Sequence, residues 1–317
     1  MIKKVENILS FIVDSESSGQ RIDKFLSCKI KDTSRSHIQN IINKDKVKVN
    51  DSTVNKHYRI AEKDIISVEY PEEGESNTSI KPQKINLKVI YEDKYLLAIS
   101  KEPGMLTHPV PGFDKNTLVN ALLYHYNTLS NLSGKERAGI VHRLDKNTSG
   151  LLIAAKDDNT HYLLSEKFKK REIKKTYSAL VWGGFHEKRG EINLPIGRSR
   201  LDRKKMCISI DSGRSAITRF EVAEEFKDAT LLNVYPETGR THQIRVHLSY
   251  IGHPVIGDEI YGNKDSKEIT GKLGMERQFL HAKRLEFSHP ATEKKIIIED
   301  ELSEDLVKCL KVLREGI

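Results

Sequence analysis

The chain has only three cysteines in 317 residues, Cys28, Cys207 and Cys309, and no two of them form a C-x-x-C pair. That spacing offers neither a thiolate zinc site nor a disulfide framework, and it fits a reducing cytoplasm. No run approaches the roughly 18 apolar residues of a membrane span. The start, "MIKKVENILSFIVDSESSG", has an apolar patch cut by Ser10 and no small-residue cleavage site, so a signal peptide is not expected. Acidic residues are in deficit. Against 45 Asp and Glu stand 53 Lys and Arg, a formal net charge of +8. Such a balance points to a polyanionic partner.

Two binding signatures fail for want of one residue. Residues 145 to 150, "DKNTSG", open like an EF-hand calcium loop, yet the twelfth position, which needs a carboxylate, is Lys156. The flanks "GIV" and "GLLIAA" read as two short buried strands around a loop, not as two helices. Asp, Asn, Ser and Gly are also ordinary turn formers. "SGKE" at 133 to 136 resembles the end of a phosphate-binding loop, but the first glycine of that motif would fall at Leu129.

The apolar fraction, 37%, is modest but globular, and the length suits one large domain plus a small one. Residues 19–70 read as the small unit. Ile22, Phe25, Leu26 and Ile30 share one helical face, and Ile38, Ile41 and Ile42 share another, with Thr33 or Ser34 as a cap. "KVKVN" alternates, with Val47 and Val49 on one side and Lys46 and Lys48 on the other. "DIISVEY" could pair with it, making a lysine-faced platform for phosphates. Residues 71–84 are polar and read as a linker. From residue 85, strand-like runs alternate irregularly with a few helical ones, which predicts a mixed, largely antiparallel α+β domain.

The chemistry gathers in two stretches. Around Asp145 stand His142, Arg143 and Lys146. A carboxylate among cations stays ionised and can serve as nucleophile or base. In "ETGRTHQIRVHLSYIGHP", 237 to 254, Ile244, Leu248 and Ile251 fall at helical spacing, Gly239 and Thr241 suit a turn and cap, and Gly252 and Pro254 a stop. His242, Arg245 and Ser249 share its polar face. His242 and His247 lie five apart on different faces with no acidic third ligand nearby, so no metal site is expected. Taken alone, Arg245 reads as a surface helix arginine. Two basic runs follow the same logic: "KFKKREIKKTY", 167 to 177, holds six Lys and Arg against one Glu, and "GRSRLDRKK", 197 to 205, holds five against one Asp. Each alone is a solvated face, and together they suggest a nucleic-acid track. Tyr177 stands where the first run meets a strand, the usual place of a core tyrosine.

Four stretches occur in order: "AGIVHRLDKNTSGLLIAAK", "KKTYSALVWG", "TGRTHQIRVHLSYIGHPVIGD" and "FLHAKRLEFSHP". They closely resemble the RluA/RluD-type pseudouridine synthases, and "HPVPGFDKNTLVNALLYH" is similar to the RluD-like branch. The resemblance covers nearly the whole chain. It implies an α+β pseudouridine synthase fold with a central cleft, preceded by a small α/β RNA-binding domain of the S-four type. The expected divisions are an N-terminal extension over 1–18, the S-four-like domain over 19–70, a linker over 71–84 and a catalytic domain over 85–317. The implied activity is isomerisation of specific uridines in RNA, chiefly large-subunit ribosomal RNA, in the cytoplasm, by a monomer, without cofactor or metal. By the same resemblance Asp145 is the catalytic aspartate, Tyr177 packs on the uracil and takes the proton from its carbon 5, and Arg245 pairs with Asp145. Leu144 and Leu280 contact the base, and Arg143 fills the gap left in the RNA stack. Asp45 and Lys63 stand where the family often has glycine, which predicts altered loops in the small domain.

Overall fold

The computed structural model describes residues 8–30, 35–69, 80–110, 112–202 and 205–316. The chain divides into two compact units, one reaching to Ile80 and including Asn131–Arg137, the other holding the remainder. In the first unit β1 (Ile8–Ile12), α1 (Ile22–Lys29), α2 (Arg35–Asn43), β2 (Val47–Val49), β3 (Ser52–Thr53) and β4 (Ile65–Glu69) follow in order. The strands form an antiparallel sheet in the order β1-β4-β2-β3. The expected helix faces pack Ile22, Phe25, Leu26, Ile38, Ile41 and Ile42 onto Val47, Val49, Ile66 and Val68. Across the sheet Lys46 reaches Glu69 at 3.2 Å, while Lys48 stays exposed. Asp45 and Lys63 keep the left-handed backbone that glycine would supply, with φ of 57° and 69°. Each side chain there costs about 1 kcal/mol of strain. The cap expected at Thr33 or Ser34, most of the expected linker and two residues of the 197–205 run lie outside the described residues.

The second unit is built on β5 (Lys88–Glu92), β6 (Leu96–Lys101), α3 (Leu118–His125), β7 (Ser149–Ala155), α4 (Asp158–Lys169), β8 (Lys174–Trp182), β9 (Arg189–Asn193), β10 (Ile196–Arg198), β11 (Met206–Ile208), β12 (Ile217–Glu225), β13 (Ala229–Pro236), α5 (Gln243–Tyr250), α6 (Lys264–Lys272), β14 (Leu280–Ser288), β15 (Lys295–Glu299) and α7 (Glu304–Glu315). Nine strands make one sheet in the order β5-β6-β7-β14-β8-β13-β12-β9, with β15 on β14. Among the described strands of this sheet only the β7–β14 pairing is parallel, so the class is the α+β one that the irregular alternation predicts. β7 is buried along its whole length, which explains why "SGLLIAA" lacks polar alternation. The run before "DKNTSG" is not a second strand: Ile140 makes a single bridge to Ala154.

α5 also departs from expectation at its start. Its N-cap is His242, not Thr241, and takes φ 56° and ψ 20° without a side-chain capping bond. The amide of Arg240 is met instead by Gln243 Oε1 at 3.0 Å, and that oxygen also accepts from Thr238 Oγ1 at 2.7 Å. His247 faces the core, with ring nitrogens on Thr218 Oγ1 and the Leu194 carbonyl.

Candidate active site

The loop that carries Asp145 is held by buried groups on several elements. The amide of Thr148 donates to the Asp145 carbonyl at 3.1 Å, closing the turn. One Thr107 hydroxyl serves both backbone groups of Leu144, donating to its carbonyl at 3.1 Å and accepting its N–H at 3.3 Å. Lys101, 1% exposed, donates to the carbonyls of Glu102, Met105 and Lys146 at 2.7, 2.9 and 3.1 Å. Burial, together with the charge of Arg277, draws this amine down to about 7, against the pull of Asp145 and Glu102. Arg277 donates to the Asn147 carbonyl at 3.1 Å and to Ser149 Oγ at 3.2 Å, and is itself anchored by Asp305 at 2.7 Å. Gly150 ends the loop at φ 108°, where an added Cβ would meet the Ala282 carbonyl oxygen at 2.4 Å. Only glycine lets β7 approach β14 there.

Asp145 is 19% exposed and accepts from Arg245 Nη1 at 3.0 Å. The partner comes from 100 residues away in sequence. Of the sequence neighbours read as its cations, Arg143 lines the same cleft and Lys146 does not. His142 is no cation: its Nε2 accepts the Ile153 N–H at 2.9 Å, its ring lies on Phe168, and burial draws it down to about 3. Arg245 is not the surface arginine that helical spacing alone suggests. Its side chain is 5% exposed and grips the fully buried Asp258 with two bonds, Nε to Oδ2 at 2.6 Å and Nη2 to Oδ1 at 2.9 Å. The amides of Ile260 and Tyr261 complete Asp258 at 3.0 and 3.1 Å. The Tyr261 ring lies 5.1 Å from the guanidinium carbon. Burial would lower the Arg245 pKa, but the bonds and charges of Asp258 and Asp145 overcome it and raise the value. Two carboxylates thus share one fixed cation, and it holds Asp145 in the wall of the cleft.

Leu144, Arg143, Asp145, Tyr177, Arg245 and Leu280 all line this cleft, of about 560 Å³. β8 and β14 bring Tyr177 and Leu280 to it from one sheet, through the pairs Ala282–Tyr177 and Leu280–Ala179. Burial and the charge of Asp145 push the Tyr177 phenol well above its usual value. Lys169, Arg171, Lys175, Arg214 and Arg240 also line the cleft, so the first basic run faces it in part. Lys175 donates to the Thr238 carbonyl at 3.2 Å, and burial with the nearby Arg171 lowers it to about 8. Asp258, Tyr261, Lys101, Thr107 and Arg277 were not singled out from sequence. Only the first two had a signal, falling a few residues after the predicted helix stop at Pro254.

A family model described as RNA pseudouridylate synthase matches residues 95–250, and an S4 domain model matches residues 20–66. An uncharacterized RNA pseudouridine synthase of Bacillus subtilis is 40% identical over 98% of this chain and 99% of its own length. Ribosomal large subunit pseudouridine synthase D of Pseudomonas aeruginosa is 36% identical over 96% of this chain and 95% of its own. Among solved structures, human RNA pseudouridylate synthase domain containing 1 superposes with a TM-score of 0.55 at 26% identity, covering 74% of this chain and 96% of that one.

Proposed function

The chain belongs to the RNA pseudouridylate synthase family, and from that premise we propose that it isomerises uridines of large-subunit ribosomal RNA with Asp145 as the catalytic carboxylate. The names of the similar bacterial enzymes support the choice of RNA. The observation that carries the catalytic assignment is the 3.0 Å pairing of Asp145 with the buried Arg245 in a cleft shared with Tyr177 and Leu280. We further propose residues 19–70 as the RNA-gripping module, 85–317 as the catalytic domain and the cytoplasm as the site of action, with the chain working as a monomer. No helix among the described residues is long and apolar enough to cross a membrane.

The reaction breaks the bond from ribose carbon 1 to uracil N1, turns the ring, joins carbon 1 to carbon 5 and moves the carbon-5 proton off, while N1 gains a proton. Reactant and product hold the same atoms, so no redox partner is consumed. A base inside a helix cannot reach a loop carboxylate, so the nucleotide must be everted, at a cost on the order of a few kcal/mol. Arg143 fills the vacated stack, Leu144 and Leu280 wall the base, and the cleft's cations take phosphates. Asp145 acts at the sugar, as nucleophile on carbon 1 or as base toward carbon 2. Tyr177 packs on the uracil. Burial and the Asp145 charge keep its phenol protonated at first, so the phenol gives its proton to uracil N1 once the bond to the sugar has broken, and the phenoxide then takes the carbon-5 proton.

Asp145→Asn should bind RNA as the parent does and lose turnover by on the order of 10⁴-fold. Tritium release from carbon-5-labelled uridine in ribosomal RNA transcripts measures this, and undiminished release by the variant refutes the assignment.

A further inference from the structure

His242 is unusual in three independent ways. Its backbone is left-handed, an uncommon conformation for any residue with a side chain. Although it stands at the N-cap of α5, its side chain caps nothing. Its Nδ1 lies 2.8 Å from the hydroxyl of Tyr261, and that hydroxyl accepts the Met206 N–H at 2.9 Å.

The last pair of bonds bears on the tautomer. Among the described residues the Tyr261 hydroxyl has these two partners, and one of them is an N–H donor. With one lone pair on the Met206 N–H, the arrangement that also uses the hydroxyl proton sends it to Nδ1, and the neutral ring then carries its own proton on Nε2. Burial favours the neutral ring; Arg245 and Arg143 add to this and Asp145 and Asp258 oppose it. Nε2 has no hydrogen-bond partner among the described residues, and the ring lines the cleft beside Asp145 and Arg143.

We propose that His242 donates its Nε2–H to a carbonyl oxygen of the everted uracil, holding the ring while its bond to the sugar breaks; the proposal rests on the reading of Asp145 given above. When the carbon 1–N1 bond breaks, its electron pair passes to the uracil and spreads over N1, O2 and O4. A neutral donor fixed by the Met206–Tyr261 relay meets that charge as it forms, without accepting or losing a proton itself. The neutral ring suits a base carbonyl, whereas the cleft's cations suit phosphates.

Two measurements test this on the full-length protein. Long-range proton–nitrogen spectra of the histidine rings should give His242 as the Nε2–H tautomer, and the Nδ1–H tautomer overturns the proposal. Single-turnover assays should use the RNA that the parent modifies, with its target uridine unaltered or carrying sulfur at O2 or at O4. His242→Leu should slow pseudouridine formation about 10²-fold. One of the two sulfur substitutions should slow the parent about tenfold and leave His242→Leu unaffected, since the lost bond is the same. His242→Asn, which tolerates the left-handed backbone and lacks a donor at that reach, replaces the leucine variant if the latter does not fold. A variant as fast as the parent, or one slowed by sulfur as much as the parent, overturns the His242 assignment alone. An active Asp145→Asn protein overturns the reading beneath it.

Discussion

Arg245 is the residue on which the geometry turns, because one guanidinium orients Asp145 while Asp258 orients the guanidinium. Removing Asp258 leaves that cation buried with half its partners gone. Asp258→Ala should therefore destabilise the fold by about 3–5 kcal/mol, measured by urea unfolding, and lower turnover as well. Tyr177→Phe should give a folded protein that stalls before the final proton loss, seen as enzyme-bound RNA that does not release product. Lys175 supplies a pH dependence. Its folded-state value lies near 8, below the usual lysine value of 10.5, so it loses charge as pH rises through about 8. RNA affinity at fixed salt should fall over that step, and Lys175→Arg should abolish the step because an arginine stays charged. At this scale Asp145, Tyr177 and Arg245 were legible through ordered motifs. Asp258 was not, since a buried counter-ion and a solvated aspartate are the same letter.

Among the elements, β7 fixes where the catalytic loop ends. Its glycine sits against the Ala282 backbone, so Gly150→Ala forces the two strands apart. We expect a loss of at least about 3 kcal/mol by thermal or urea unfolding, with the loop displaced from Arg245. The small unit offers the opposite case. Lys63 holds φ 69° with a side chain, and Lys63→Gly should stabilise that unit by about 0.5 kcal/mol, the strain relief exceeding the added freedom of the unfolded chain. The two helices and the β2–β4 pairing of the small unit, and β5 to β8, β13, α3 and α4 of the large one, were readable from apolar spacing, because burial of one face imposes a period. β1, which pairs with β4, fell inside the expected N-terminal extension over 1–18, and β9, β12, β15, α6 and α7 were not read. The ends were less so. Ile140 has an apolar strand's composition but a single bridge, and α5 is preceded at its N-cap by His242 in a left-handed conformation and not by Thr241.

For the whole molecule the relevant quantity is charge. An excess of +8 serves a partner that is itself a polyanion, and binding then releases counterions. RNA affinity should fall steeply, by more than about tenfold between roughly 50 and 200 mM salt, while turnover at saturating RNA stays nearly constant. Filter binding and single-turnover assays at several salt concentrations separate the two. A salt-independent affinity would contradict an electrostatic grip.

Composition, periodicity and motif order were enough to determine an α+β chain with a small basic module, its helix and strand faces, and the candidate trio of Asp145, Tyr177 and Arg245. The faces follow from local rules, since side-chain spacing along a strand or helix decides which one is buried, whereas the trio followed from the ordered motifs and the family they resemble. The tertiary structure alone decided that Arg245 is buried rather than on the surface, which carboxylate stands behind it, and which buried lysine, threonine and arginine hold the loop. Those contacts span 13 to 130 residues, several of them through backbone groups, and neither distance nor burial is written in the order of the letters.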